Sequence, residues 1–144
     1  MKRISLSLLT MMATIISATA LTVVPVQTVN AADHDTQCMD NVQGKIAWDN
    51  AHNTTWQKEN LQQLCAGTTK PEEPGKCFAA VNTEHAAGKI SWGKGSDWEW
   101  RNIINLCAGT NDAEKTISCF KNGISSGADW RDAILICHRA AKQS

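Results

Sequence analysis

Six cysteines are the first residues in this chain that could do chemistry: Cys38, Cys65, Cys77, Cys107, Cys119 and Cys137. A metal site would need close pairs such as Cys-x-x-Cys, and the nearest two cysteines stand 12 residues apart. An even number of thiols in a small exported chain reads instead as a disulfide framework, because oxidising compartments pair thiols. His34, His52, His85 and His138 fall at unrelated positions. His34 beside Asp35 could bind a metal, but the pair is expected in a frayed N-terminal segment. His138, next to Cys137, reads as a helix-end cation. Glu72, Glu73, Glu99 and Glu114 lack the paired spacing of a general acid and base. No Gly-x-Ser-x-Gly elbow appears, and Gly93 and Gly95 lack the strand–turn–helix setting of a phosphate loop. The residues therefore point away from an enzyme: no catalytic residue, cofactor or metal is expected.

Tryptophan is the other chemically loaded residue. The chain has six Trp, no Tyr and two Phe. Trp48, Trp56, Trp92, Trp98 and Trp100 cluster around two segments, Trp48–Trp56 and Trp92–Trp100, that also carry Asp, Asn, Ser, Thr and Lys. Aromatic faces beside short polar groups suit a sugar, whose C–H faces pack on rings while its hydroxyls meet the polar groups. They would suit a protein partner as well, since Trp dominates interface hot spots. Against both stands the packing role, because each Trp buries a large apolar area in a small core. Trp56, Trp98 and Trp130 precede or open expected helices and read mainly as core. The candidate ligand-binding set is Trp48, Trp92, Trp98, Trp100 and Asp97.

These residues recur in register. Leu64-Cys65-Ala66-Gly67-Thr68 returns as Leu106-Cys107-Ala108-Gly109-Thr110. Gly44-Lys45-Ile46-Ala47-Trp48 returns as Gly88-Lys89-Ile90-Ser91-Trp92, and Cys77-Phe78 as Cys119-Phe120. Trp100-Arg101-Asn102 and Trp130-Arg131-Asp132 stand at the same offset before a closing cysteine. The expected units are 38–65, 77–107 and 119–137, the third being a shortened cap without the Gly-Lys-Ile-x-Trp stretch. These openings and closures resemble short cysteine-bounded helical repeats of exported bacterial proteins. That resemblance implies no activity and no functional residues.

Each unit reads as two helices. The first is expected to begin at the leading cysteine, with Cys38, Val42 and Ile46 at helical spacing. The second is expected to start at Thr55-Trp56, Asp97-Trp98 or Asp129-Trp130, since Thr and Asp cap free N–H groups. It should end at the closing cysteine, with Gly67 and Gly109 as left-handed stops. The positions one and four residues before that cysteine (Leu64 and Leu61, Leu106 and Ile103, Ile136 and Ala133) are expected to form the buried face. No sustained alternation supports a strand. The fold class is thus all-α: three disulfide-stapled helical hairpins stacked as one small domain. A bridge within each hairpin suits its geometry. That pairing is the preferred one, against which the constant spacing from Cys65 to Cys77 and from Cys107 to Cys119 would allow bridges across the linkers, leaving Cys38 to pair with Cys137.

The N-terminus sets the compartment. Lys2 and Arg3 precede an uncharged run from Ile4 to Val24, and Asn30-Ala31-Ala32 stands just before Asp33. This pattern predicts a signal peptide over 1–32, leaving a cysteine-rich domain over 33–144. A weaker site follows Ala20, and a retained membrane anchor is the competing reading. Cleavage after Ala32 takes two basic residues from a chain of 14 basic and 14 acidic ones, a net charge of −2. Such a balance offers no footprint for nucleic acid or anionic membranes, and nothing after the leader could span a bilayer. Asn53-Thr54-Thr55 is a formal glycosylation sequon. The reading that follows is a secreted or periplasmic, non-catalytic binding module for glycan or envelope material. The alternative is an inhibitor or effector acting on a protein outside the cytoplasm.

Overall fold

A computed structural model describes residues 30–86, 90 and 100–142. It holds six helices and, among the described residues, no strand: α1 Ala31–Val42, α2 Lys58–Cys65, α3 Glu73–Ala86, α4 Trp100–Cys107, α5 Ala113–Ser125 and α6 Trp130–Lys142. Disulfides close successive helix pairs, with Cys38 bonded to Cys65, Cys77 to Cys107 and Cys119 to Cys137. Of the two arrangements the sequence left open, this is the bridge within each hairpin. The pairs pack in two rows, α1–α3–α5 and α2–α4–α6. Between the rows lies one apolar core that includes Val42, Leu64, Phe78, Val81, Ile103 and Phe120. No helix among the described residues is long and apolar enough to cross a membrane.

The helix starts differ from the sequence expectation, for local reasons. Each leading cysteine lies inside its first helix rather than at the start. Asn30 begins α1, its N–H donating to the Asp33 carboxylate at 3.2 Å. The expected cleavage position after Ala32 thus falls in the first turn of α1. Pro74 enters α3 as its second residue, where a missing N–H costs no helical bond. Asp112 caps α5 by accepting the Lys115 N–H at 2.9 Å. The start of α2 moves two residues past Trp56, because that residue is held elsewhere. Its backbone N–H donates to Gln43 Oε1 at 2.9 Å and its indole N–H to the Ile46 carbonyl at 2.8 Å. The expected start of α6 agrees: Asp129 accepts the Arg131 N–H just ahead of Trp130.

The closures behave as expected in the first two pairs. α2 ends at Cys65 and α4 at Cys107, followed by Gly67 at φ +79° and Gly109 at φ +62°. That backbone strains any side chain, so glycine is the residue that stops these helices. The two closures also bond to each other. Gly109 donates its N–H to the Leu64 carbonyl at 2.8 Å, and the buried Thr68 hydroxyl lies within 3.1 Å of the Thr110 carbonyl and Asn111 Oδ1. Among the described residues no helix pair precedes Gly67, and its N–H donates instead to the Asp35 carboxylate at 3.0 Å. His34 and Asp35 therefore belong to a docked helix, not to a frayed terminus. The third pair departs from expectation: α6 runs past Cys137 to Lys142, and His138 sits mid-helix with its Nδ1 3.1 Å from the Asn105 carbonyl.

Candidate functional site

The loop from Val42 to α2 is organised around one carboxylate. Asp49 Oδ1 accepts the Ala51 and Asn53 N–H groups at 3.1 and 2.9 Å, and Oδ2 accepts the Asn53 side-chain amide at 2.6 Å. The Asn53 amide, followed by its backbone N–H, holds the Asp49 pKa below the ordinary aspartate value. The Trp48 N–H closes the loop by donating to the Asn53 carbonyl at 2.9 Å. His52 adopts φ +61° at the tip. The sequon asparagine is thus a structural member of this loop.

This loop delivers Trp48 to Trp100, the first residue of α4. The two rings meet edge to face at 5.5 Å between centroids, and both are half-buried. The Arg101 guanidinium lies 4.6 Å from the centre of the Trp100 ring. Trp56 is only 5% exposed and packs edge to face on Phe78 at 4.7 Å, the core role expected of it. Together Trp48, Trp56 and Trp100 line a cleft of about 170 Å³, completed by Thr55, Gln57, Asn60 and Arg101. It is small and apolar-walled, with two amides, a hydroxyl and a guanidinium beside the rings. These groups can donate and accept hydrogen bonds around a planar or ring-shaped ligand.

Of the five candidate site residues, the structure brings together Trp48 and Trp100. Trp92, Asp97 and Trp98 lie outside the described residues. Gln57, Asn60 and Arg101 were not anticipated. The adjacency of Arg101 to Trp100 is a visible signal, since guanidinium groups stack on indoles. Gln57 and Asn60 carry none, because only the crossing of α2 and α4 brings them to Trp100.

A wider depression of about 500 Å³ runs between α4 and α6, lined by Asn102, Asn105, Trp130, Ile134, Leu135 and His138 among others. It is three times as large but offers one half-buried indole, where the smaller cleft sets two against each other. Trp130, expected in the core, stands at its edge with Arg131 stacked 4.2 Å from the ring centre. Among the described residues no three His, Cys, Asp or Glu side chains converge to hold a metal ion. No protein-family model, curated protein or solved structure matches this sequence.

Proposed function

We infer that this chain is a non-catalytic binding module of an oxidising, extracytoplasmic compartment, and that it recognises glycan through the cleft between Trp48 and Trp100. In this reading a cleaved leader precedes three copies of one disulfide-closed helical hairpin. The three bridges favour such a compartment, where thiols stay paired. The observation that carries the reading is the pair of half-exposed indoles set edge to face beside Gln57, Asn60 and Arg101. One ring can take the C–H face of a sugar while the amides and guanidinium take its hydroxyls. An edge-to-face pair also holds its rings in a fixed relation, so little freedom is lost on binding.

The test is retention of the oxidised protein on insoluble peptidoglycan, chitin and cellulose, backed by tryptophan-fluorescence titration with soluble fragments of each. The Trp48→Ala/Trp100→Ala variant, confirmed folded by its helical circular dichroism, should bind at least about tenfold more weakly. An Asn60→Ala variant should weaken binding less, by removing one polar contact. If the wild-type protein washes through every matrix, the glycan reading is wrong. The same cleft would then be assigned to an apolar side chain of a protein target, the inhibitor or effector role.

A further inference from the structure

We propose that the outward face of α6 is a self-complementary surface on which two copies of this chain pair antiparallel. Trp130, Ala133, Ile134, Cys137 and Ala141 turn towards the protein. The opposite face carries Asp132, Leu135, Ile136 and Arg139, spaced i, i+3, i+4 and i+7, which places them on one stripe. All four are exposed, and Leu135 at 54% and Ile136 at 60% are the exposed large hydrophobic residues among those described.

The other helix pairs show what is unusual about this stripe. One residue before the closing cysteine, Leu64 is fully buried and Leu106 is 1% exposed, because α4 lies beside α2 and α6 beside α4. Ile136 holds the same offset on the last helix of the row. Two residues before the closing cysteine, Gln63 donates to Asn105 at 2.8 Å along the surface. At that offset α6 carries Leu135. An apolar side chain therefore stands where the earlier pairs keep a polar one, beside another that the earlier pairs cover.

The charges identify the occupant as a second copy. Place a two-fold axis between Leu135 and Ile136 and run the helices antiparallel. Asp132 then faces Arg139 of the second copy, and Arg139 faces Asp132 of the second copy, with the Leu–Ile pairs of both chains between them. The charged pairs sit about 10 Å apart along the helix at 1.5 Å per residue. A parallel pairing would set carboxylate against carboxylate and guanidinium against guanidinium, which like-charge repulsion disfavours. An isologous pairing of this kind closes on itself as a dimer. The contact is one helix face wide, so the association is weak and reversible.

Sedimentation velocity over a concentration series up to about 1 mM tests this. The oxidised wild-type protein should show a reversible monomer–dimer equilibrium. Asp132→Arg alone should weaken self-association about tenfold or more, and so should Arg139→Asp, because each sets like charges opposite one another. Mixed in equal amounts, the two variants are complementary and should form a heterodimer as tight as the wild-type dimer. All the altered positions are exposed, and intact disulfides with unchanged helical circular dichroism will show that the variants fold. A wild-type protein that stays monomeric throughout overturns the proposal. So does a dimer indifferent to either substitution, or a pair of weakened variants that do not rescue each other when mixed.

Discussion

At the residue scale, Asp49 and Thr68 each organise backbone around a short side chain, one in water and one in the interior. Asp49 is ionised while it collects three donors, and its pKa is lowered by them. A group whose folded value lies below its unfolded value contributes order above the unfolded value, near 3.8, and loses it as pH falls through the folded value. Protection of the Ala51 and Asn53 amides from hydrogen exchange should therefore hold at neutral pH and disappear once the pH drops well below 3.8. Asp49→Asn keeps an acceptor oxygen and should remove this pH response; Asp49→Ala should remove the protection at every pH and weaken ligand binding by Trp48. Thr68 is fully buried, and its hydroxyl accepts the Lys70 N–H while lying within reach of three further acceptors. Thr68→Val keeps the shape but strands the Lys70 N–H and takes the hydroxyl donor from the Thr110 carbonyl, while Asn111 Oδ1 keeps the Thr69 N–H at 2.7 Å. It should cost about 1–3 kcal/mol in chemical denaturation, and Thr68→Ser should recover most of that. Equal stability of the valine and wild-type proteins would mean that these buried groups find other partners.

At the element scale, the chain advertises where its helices stop better than where they start. Leu-Cys-Ala-Gly marks the ends of α2 and α4 because a left-handed residue is a local requirement that glycine meets. The starts depend on distant partners. Trp56 looked like the first turn of a helix, yet its two N–H groups are drawn to Gln43 and Ile46, which keeps the chain extended until Gln57. The leading cysteines looked like helix openings because they open the repeated pattern, but capping is set by Asn30 and Asp112, several residues upstream. The aromatic half of the candidate site was legible as clustered tryptophans. Its polar half was not, since Asn60 and Trp100 are brought together only by packing in the α2–α4–α6 row. Ile136 fails for the complementary reason: its periodicity promises burial, and among the described residues nothing covers it. One start signal lends itself to a direct test. Asp112→Ala removes the acceptor for the Lys115 N–H and should destabilise the protein by about 1 kcal/mol, with hydrogen exchange quickening first in the opening turn of α5. Asp112→Asn, still a good cap, should restore most of that loss.

At the scale of the whole molecule, three bridges act on one shared core, and their environments differ. Chain-entropy arguments give loops of 18 to 30 residues about 3–4 kcal/mol each. Three such contributions come to about 10 kcal/mol, comparable with the roughly 5–15 kcal/mol that separates folded from unfolded domains. Full reduction should therefore unfold the protein, and the helical circular dichroism should collapse in excess thiol. The order of opening is a sharper expectation. Loop length barely separates the three bridges, so access decides which thiolate attack reaches first. Cys38, Cys65, Cys77 and Cys107 are all fully buried, Cys137 is 2% exposed, and Cys119 alone is half-buried. Limited reduction followed by alkylation and peptide mass mapping should find Cys119 and Cys137 modified while the other four cysteines remain paired. That partly reduced species should keep α1 to α4 and the cleft at Trp48 and Trp100, because neither α5 nor α6 lines it. If all three bridges instead vanish together with the circular dichroism, reduction proceeds through global unfolding. The helix pairs would then form one cooperative unit in which the exposure of Cys119 has no consequence.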